Sequence, residues 1–131
     1  MSSEQITVVK LGGNIIDNPS ELKIFLSSFA QLEGKKILVH GGGKLASAME
    51  KKLGIETKMI DGRRITDEAS LDVVTMIYAG LINKKIVAEL QSNNCNAIGL
   101  CGADGDLVRS EKRPASPIDF GFVGDPVSVN S

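Results

Sequence analysis

No apolar run in this chain approaches the roughly 18 residues that a membrane-spanning helix needs, so no membrane partner is expected. The stretch MSSEQITVVK lacks the basic segment and long apolar core of a signal peptide, and Ile6 to Leu11 is too short to supply one. A cytoplasmic location is the expectation. Neither charge is in excess: 15 basic and 16 acidic residues leave a net charge of -1, without the basic surplus of a dedicated nucleic-acid binder. Nucleic acid is therefore not an expected partner. Cysteine is scarce, and Cys95 and Cys101 lack the paired Cys/His spacing of a zinc site. Both read as reduced core thiols in preference to a redox or disulfide pair. No Gly-x-Ser-x-Gly elbow accompanies His40-Gly41-Gly42-Gly43, which removes the esterase oxyanion loop that this stretch suggests. A Walker loop also fails, because Leu45 follows Gly43-Lys44 and no glycine lies five residues before Gly43.

What is present suits one ordinary domain. The 131 residues are 42% apolar and 24% charged, and a chain of that length buries about two thirds of its unfolded surface. Ile6-Thr7-Val8-Val9-Lys10-Leu11 is a short β-branched run stopped by Gly12-Gly13, the pattern of a buried parallel strand. Asn18 caps a helix that Pro19 opens, with Leu22, Phe25, Leu26 and Phe29 on its apolar face. A second strand, Lys36 to His40, runs into Gly41-Gly42-Gly43; Leu45, Met49 and Leu53 then mark a helix that Gly54 ends. Asp61-Gly62 is a tight-turn signal inside a small hairpin spanning Thr57 to Ile65. Thr66 is expected to cap the next helix, whose stripe of Leu71, Val74, Tyr78 and Leu81 continues toward Leu90 with Gly80 as a bend. Ala97 to Cys101 reads as a third core strand, and Asp104-Gly105 and Gly124-Asp125 as hairpin turns.

Strands alternating with helices imply an α/β fold with right-handed crossovers and helices on both faces of a mainly parallel sheet. Ligands of such sheets bind beyond the carboxyl ends of the strands, where both glycine loops fall. Glycines between strand and helix let backbone N–H groups approach an anion, and phosphate is the natural ligand. Lys10, two residues before Gly12, is placed to stabilise transferring phosphoryl oxygens, the alternative being an edge-strand lysine reaching for water. Arg64 is placed to clamp a carboxylate bidentately; the alternative is a solvated loop arginine. His40 tempts a general-base reading, but a carboxylate acceptor is already ionised at neutral pH, so a structural role is favoured. Asp104 and Asp106 are read as turn residues ahead of a metal pair.

Val9-Lys10-Leu11-Gly12-Gly13-Asn14, Val39-His40-Gly41-Gly42-Gly43 and Asp61-Gly62-Arg63-Arg64-Ile65-Thr66 resemble, in order and spacing, the N-terminal half of acetylglutamate kinases in the amino-acid kinase family. Residues 97 to 106 and Gly121-Phe122-Val123-Gly124 continue the similarity over nearly the whole chain. The resemblance implies a three-layer αβα sandwich and ATP-dependent phosphorylation, with Mg2+, of the side-chain carboxylate of an N-acylated glutamate in arginine biosynthesis. It assigns Lys10 and Gly13 to phosphoryl transfer, and Gly12, Gly13 and Gly41 to phosphate. Gly42 and Gly43 would hold the reacting carboxylate and Arg64 the α-carboxylate. Residues 1–131 are then the acyl-amino-acid and phosphoryl-binding lobe, without the C-terminal nucleotide-binding lobe, so the chain alone is not expected to turn over. A homo-oligomer is also implied. A non-catalytic ligand-binding or oligomerisation module derived from the same fold is the alternative.

Overall fold

A computed structural model describes residues 5–130; the first four residues of the N-terminal stretch read for export lie outside it, as does Ser131. The chain opens with strand β1 (Ile6–Leu11), a single helical turn α1 (Gly13–Ile16) and helix α2 (Pro19–Ala30). Asn18 caps α2 as expected, its side-chain oxygen accepting from the amides of Ser20 at 3.2 Å and Glu21 at 3.3 Å, while Pro19 occupies the first turn. Strand β2 (Lys35–His40) pairs in parallel with β1, Leu11 opposite His40, and leads into α3 (Gly43–Lys52). The hairpin β3 (Lys58–Ile60) and β4 (Arg63–Ile65) turns through Asp61 at φ +48° and Gly62 at φ +75°, the positive pair that an Asp-Gly two-residue turn demands.

A long helical stretch follows as α4 (Glu68–Thr75), a π-helical segment (Met76–Ile82) and α5 (Asn83–Ser92). Its cap is Asp67, one residue beyond the expected Thr66: Asp67 accepts from the Ser70 amide at 2.8 Å. Thr66 instead bridges to Gly121. The buried face runs Val73, Ile77, Ile82, Ile86, Leu90, with spacings of four residues except for five across the π segment. A π turn accommodates an extra residue. Val74 and Tyr78 of the expected stripe flank this face, partly buried and packed against the core, whereas Leu81, within the π segment, is exposed. Gly80, the expected bend, lies within this segment.

Two further expectations change. Ala97 to Cys101 joins no ladder among the described residues; an extended segment becomes a strand only beside another backbone, and here side chains of α5 take its carbonyls. Gln91 Nε2 donates to Ala97 O at 3.1 Å, Lys84 Nζ to Gly99 O at 2.9 Å and Asn83 Nδ2 to Leu100 O at 3.4 Å. Ile98, 82% exposed, points away from the core. Strands β5 (Val108–Lys112) and β6 (Gly124–Val129) do form an antiparallel hairpin, but Gly124 and Asp125 lie inside β6, opposite Lys112 and Glu111, and residues 113–123 make the connection. Asp104 and Asp106 bound a short 3-10 turn. Cys95 and Cys101 are free thiols, each partly buried, and Cys95 packs on the core.

The result is a mixed α/β fold with a parallel strand pair and helices. Leu11, Leu26, Phe29, Ala46, Val73 and the α5 residues form one core, and Val9 and Leu38 add the inner face of the sheet. The outer face, Ile6, Val8, Lys10, Ile37 and Val39, is exposed among the described residues. No helix among them is long and apolar enough to cross a membrane.

Candidate functional site

Parallel pairing of β1 and β2 brings Gly12-Gly13 and Gly41-Gly42-Gly43 to one edge of the sheet, each loop opening a helix. Lys10 is exposed on β1 opposite Val39, two residues before that edge. The loops are also tied by side chains: Lys44 Nζ donates to Asn14 Oδ1 at 3.0 Å and lies 3.4 Å from Asp17 Oδ2.

The triple-glycine loop is shaped by the helix behind it. A Cβ on Gly42 would overlap Ile82 Cδ1 and approach the Tyr78 ring at 3.3 Å, so only glycine lets the backbone pass this close. Behind it, His40 Nδ1 lies 3.0 Å from Gly41 O and Nε2 lies 3.2 Å from Asn83 Nδ2. An amide N–H2 can only donate, which makes Nε2 the acceptor and assigns the proton to Nδ1. Both ring nitrogens are therefore engaged by the chain in a way that anchors the loop, in keeping with the structural role favoured for His40.

Arg64, on β4, reaches into the same region. Its Nη2 donates to Ser47 Oγ at 2.8 Å and to Gly43 O at 3.3 Å, and its Nη1 donates to Glu50 Oε2. Arg64 is thus held by the glycine loop and α3, and the solvated-loop alternative does not apply. These contacts also refine the expected bidentate clamp. Both two-point edges of a guanidinium use Nη2, whose hydrogens are both occupied here, so a carboxylate gains a fork only by displacing a partner. The 3.3 Å bond to Gly43 O is the longest of the set.

Arg64 lines a cleft of about 420 Å³ with Arg63, Tyr78, Arg113, Phe120 and Val123. The 113–123 connection forms one wall: Arg113 Nε donates to Asp125 Oδ1 at 3.1 Å, and its guanidinium carbon lies 6.0 Å from the centre of the Phe120 ring. Hydrogen bonding from Arg113, then its charge, holds the Asp125 carboxyl below its ordinary pKa. The wall docks where Gly121, at φ +73°, lies directly against the Thr66 carbonyl; Thr66 N donates to Phe120 O at 2.9 Å and Phe122 N to Thr66 O at 2.7 Å. A cationic cleft with apolar sides suits an anion carrying a short apolar group. Nothing local to Tyr78, Arg113 and Phe120 in the sequence announces that they line a cleft with Arg64.

Residues 5–130 match the amino acid kinase family. The chain is 59% identical over 128 residues to an acetylglutamate kinase from Cytophaga hutchinsonii, covering 97% of this chain and 48% of that protein. An acetylglutamate kinase from Phocaeicola vulgatus is 53% identical, covering 98% and 50% respectively. The chain therefore spans about half the length of these relatives. Among solved structures, smu.665 from Streptococcus mutans superposes with a TM-score of 0.75 at 22% identity, over 95% of this chain and 51% of that one. N-acetylglutamate synthase from Neisseria gonorrhoeae, complexed with coenzyme A and N-acetyl-glutamate, gives a TM-score of 0.66 at 19% identity, over 95% and 28%. At such identities the structural matches speak for the fold alone. The family match over residues 5–130, with relatives above 50% identity along nearly the whole chain, shows that the chain belongs to the amino acid kinase family.

Proposed function

We propose that this chain is the acceptor-binding lobe of an acetylglutamate kinase. In that reading the whole protein phosphorylates the side-chain carboxylate of an N-acylated glutamate with ATP and Mg2+, in arginine biosynthesis and in the cytoplasm. The observation that carries the reading is the bond from Arg64 to Gly43 O, which joins a cationic, partly apolar cleft to the glycine loop at the sheet edge. An acyl-glutamate has the matching anatomy: an α-carboxylate for the guanidinium, an apolar acyl group for the side wall, and a second carboxylate to reach the loops.

Each residue then has a chemical task. Arg64 orients the α-carboxylate, and the backbone N–H groups of Gly42 and Gly43 hold the reacting carboxylate. Gly12, Gly13 and Gly41 offer main-chain donors to phosphoryl oxygens, and Lys10 supplies positive charge where negative charge develops during transfer. No base is needed, since the acceptor is ionised at neutral pH. Two glycine loops at one sheet edge, with Lys10 two residues before it, are the kind of donor set that a phosphoryl group calls for. When bound, Mg2+ would neutralise phosphate charge; no His/Cys/Asp/Glu cluster suited to a metal occurs among the described residues, and no residue is assigned to it.

The exposed outer face of Ile6, Val8, Ile37 and Val39 favours a second role in association, including assembly as a homo-oligomer. Isothermal titration of the chain with N-acetylglutamate tests the main reading. Saturable one-site binding is expected. Absence of binding at millimolar ligand, with sedimentation showing a stable oligomer, would favour an association module instead.

A further inference from the structure

Helix α3 buries a carboxylate on its core-facing side. Ala46 and Glu50, one turn apart, are its two buried residues, and Glu50 is 0% exposed. Glu50 Oε2 accepts from Arg64 Nη1 and from Thr57 Oγ1, while Oε1 has no hydrogen-bond partner among the described residues. A buried carboxylate with an unpaired oxygen costs more than an apolar residue of like volume would. Packing alone therefore gives no reason for a glutamate here, and the contacts it does make supply one.

We propose that Glu50 is a positioning residue for substrate recognition, an inference that rests on the reading of Arg64 given above. A guanidinium on a flexible stem can present several edges to a ligand. Glu50 holds Nη1 and Ser47 shares Nη2 with Gly43 O, so an arriving carboxylate gains an Nη2 donor by displacing the long bond to Gly43 O. Thr57, just before β3, fixes the carboxylate in turn. Arg64 is thereby held in one orientation before the ligand arrives, and less ordering remains to be done on binding. The exchange also frees the Gly43 carbonyl when the α-carboxylate docks, which links recognition at one end of the substrate to the loop at its other end.

The test pairs one variant with two ligands. Binding of N-acetylglutamate and of its α-carboxamide, in which the α-carboxylate alone is changed, is measured by titration for the parent and for Glu50→Gln, with thermal melts confirming that both are folded. Glu50→Gln is expected to weaken N-acetylglutamate about tenfold, the scale of one charge-assisted hydrogen bond. The α-carboxamide should bind parent and variant equally. Equal weakening of both ligands would mean that Glu50 merely supports the fold and would overturn the inference, as would no weakening of either. If the parent binds neither ligand, the reading of the site itself fails. Should Glu50→Gln not fold, Glu50→Asp, which keeps the charge but shortens the reach to Arg64, is read by the same ligand difference.

Discussion

Arg64→Ala takes the guanidinium away from a carboxylate that solvent does not reach. Glu50 is 0% exposed and the Arg64 side chain 11%, so the pair lies in surroundings where a lone charge is poorly solvated. After the substitution, Glu50 retains only the Thr57 hydroxyl as a donor among the described residues. Removing one partner of a buried ion pair typically costs about 3–5 kcal/mol, most of it the penalty of the charge left behind. The lower end applies here, because Gly43 is exposed and water can replace the guanidinium at its carbonyl. With a urea m-value of about 1–3 kcal/mol/M, a loss of about 3 kcal/mol moves the unfolding midpoint down by about 1–3 M. Urea melts followed by circular dichroism read this directly. A second variant identifies the cause: Glu50→Met in the Arg64→Ala background removes the stranded charge and fills its space, and should return most of the lost stability. A midpoint within about 0.3 M of the parent for Arg64→Ala, or a double variant no more stable than the single, would refute the reasoning.

Gly42→Ala should destabilise by about 1–3 kcal/mol, because its methyl group meets Ile82 and Tyr78 in an already packed site; a urea melt checks it. Acid stability should depend on Asp67 and Asp125. The backbone bond from Ser70 depresses the first and the side-chain bond from Arg113 depresses the second, so both stabilise above the ordinary carboxylate pKa and lose that contribution as pH falls through their lowered values. Thermal melts should be nearly flat down to about pH 4 and fall below it, and Asp67→Asn with Asp125→Asn should flatten that limb. In a protein of the relatives' full length, Lys10→Met should lower kcat about a hundredfold with little change in KM, as expected for charge that acts on the transition state; steady-state kinetics decide it.

The local signals in the sequence were followed closely by the chain. Asn18-Pro19, Asp61-Gly62 and the strand-glycine-helix order each carry their own backbone logic within a few residues, and each stands where it was expected. What was illegible depended on distant partners. The helix from Glu68 onward changes phase at a π segment that no periodicity within α4 foretells. Gly124-Asp125 has the composition of a turn, yet pairs with β5 because Arg113 and Thr66 fix the connection elsewhere. Glu50 looks like an ordinary solvated residue between Met49 and two lysines, and only the arrival of Arg64 and Thr57 makes its burial tolerable. At the site, Lys10, the glycine loops and Arg64 could be picked out by residue type, whereas Arg113 and Phe120 enter through a connection whose placement is tertiary.

The claim that the glycine loops and Arg64 form one acceptor site can be tested in a single titration. Uniformly 15N-labelled chain is followed by 1H–15N correlation spectra, covering backbone amides and the Arg64 side chain, as N-acetylglutamate is added. Saturable shifts should concentrate at the amides of Gly13, Gly42 and Gly43 and at the Arg64 guanidinium, all with one dissociation constant. Saturable shifts confined to other residues, with these groups unmoved, would contradict it.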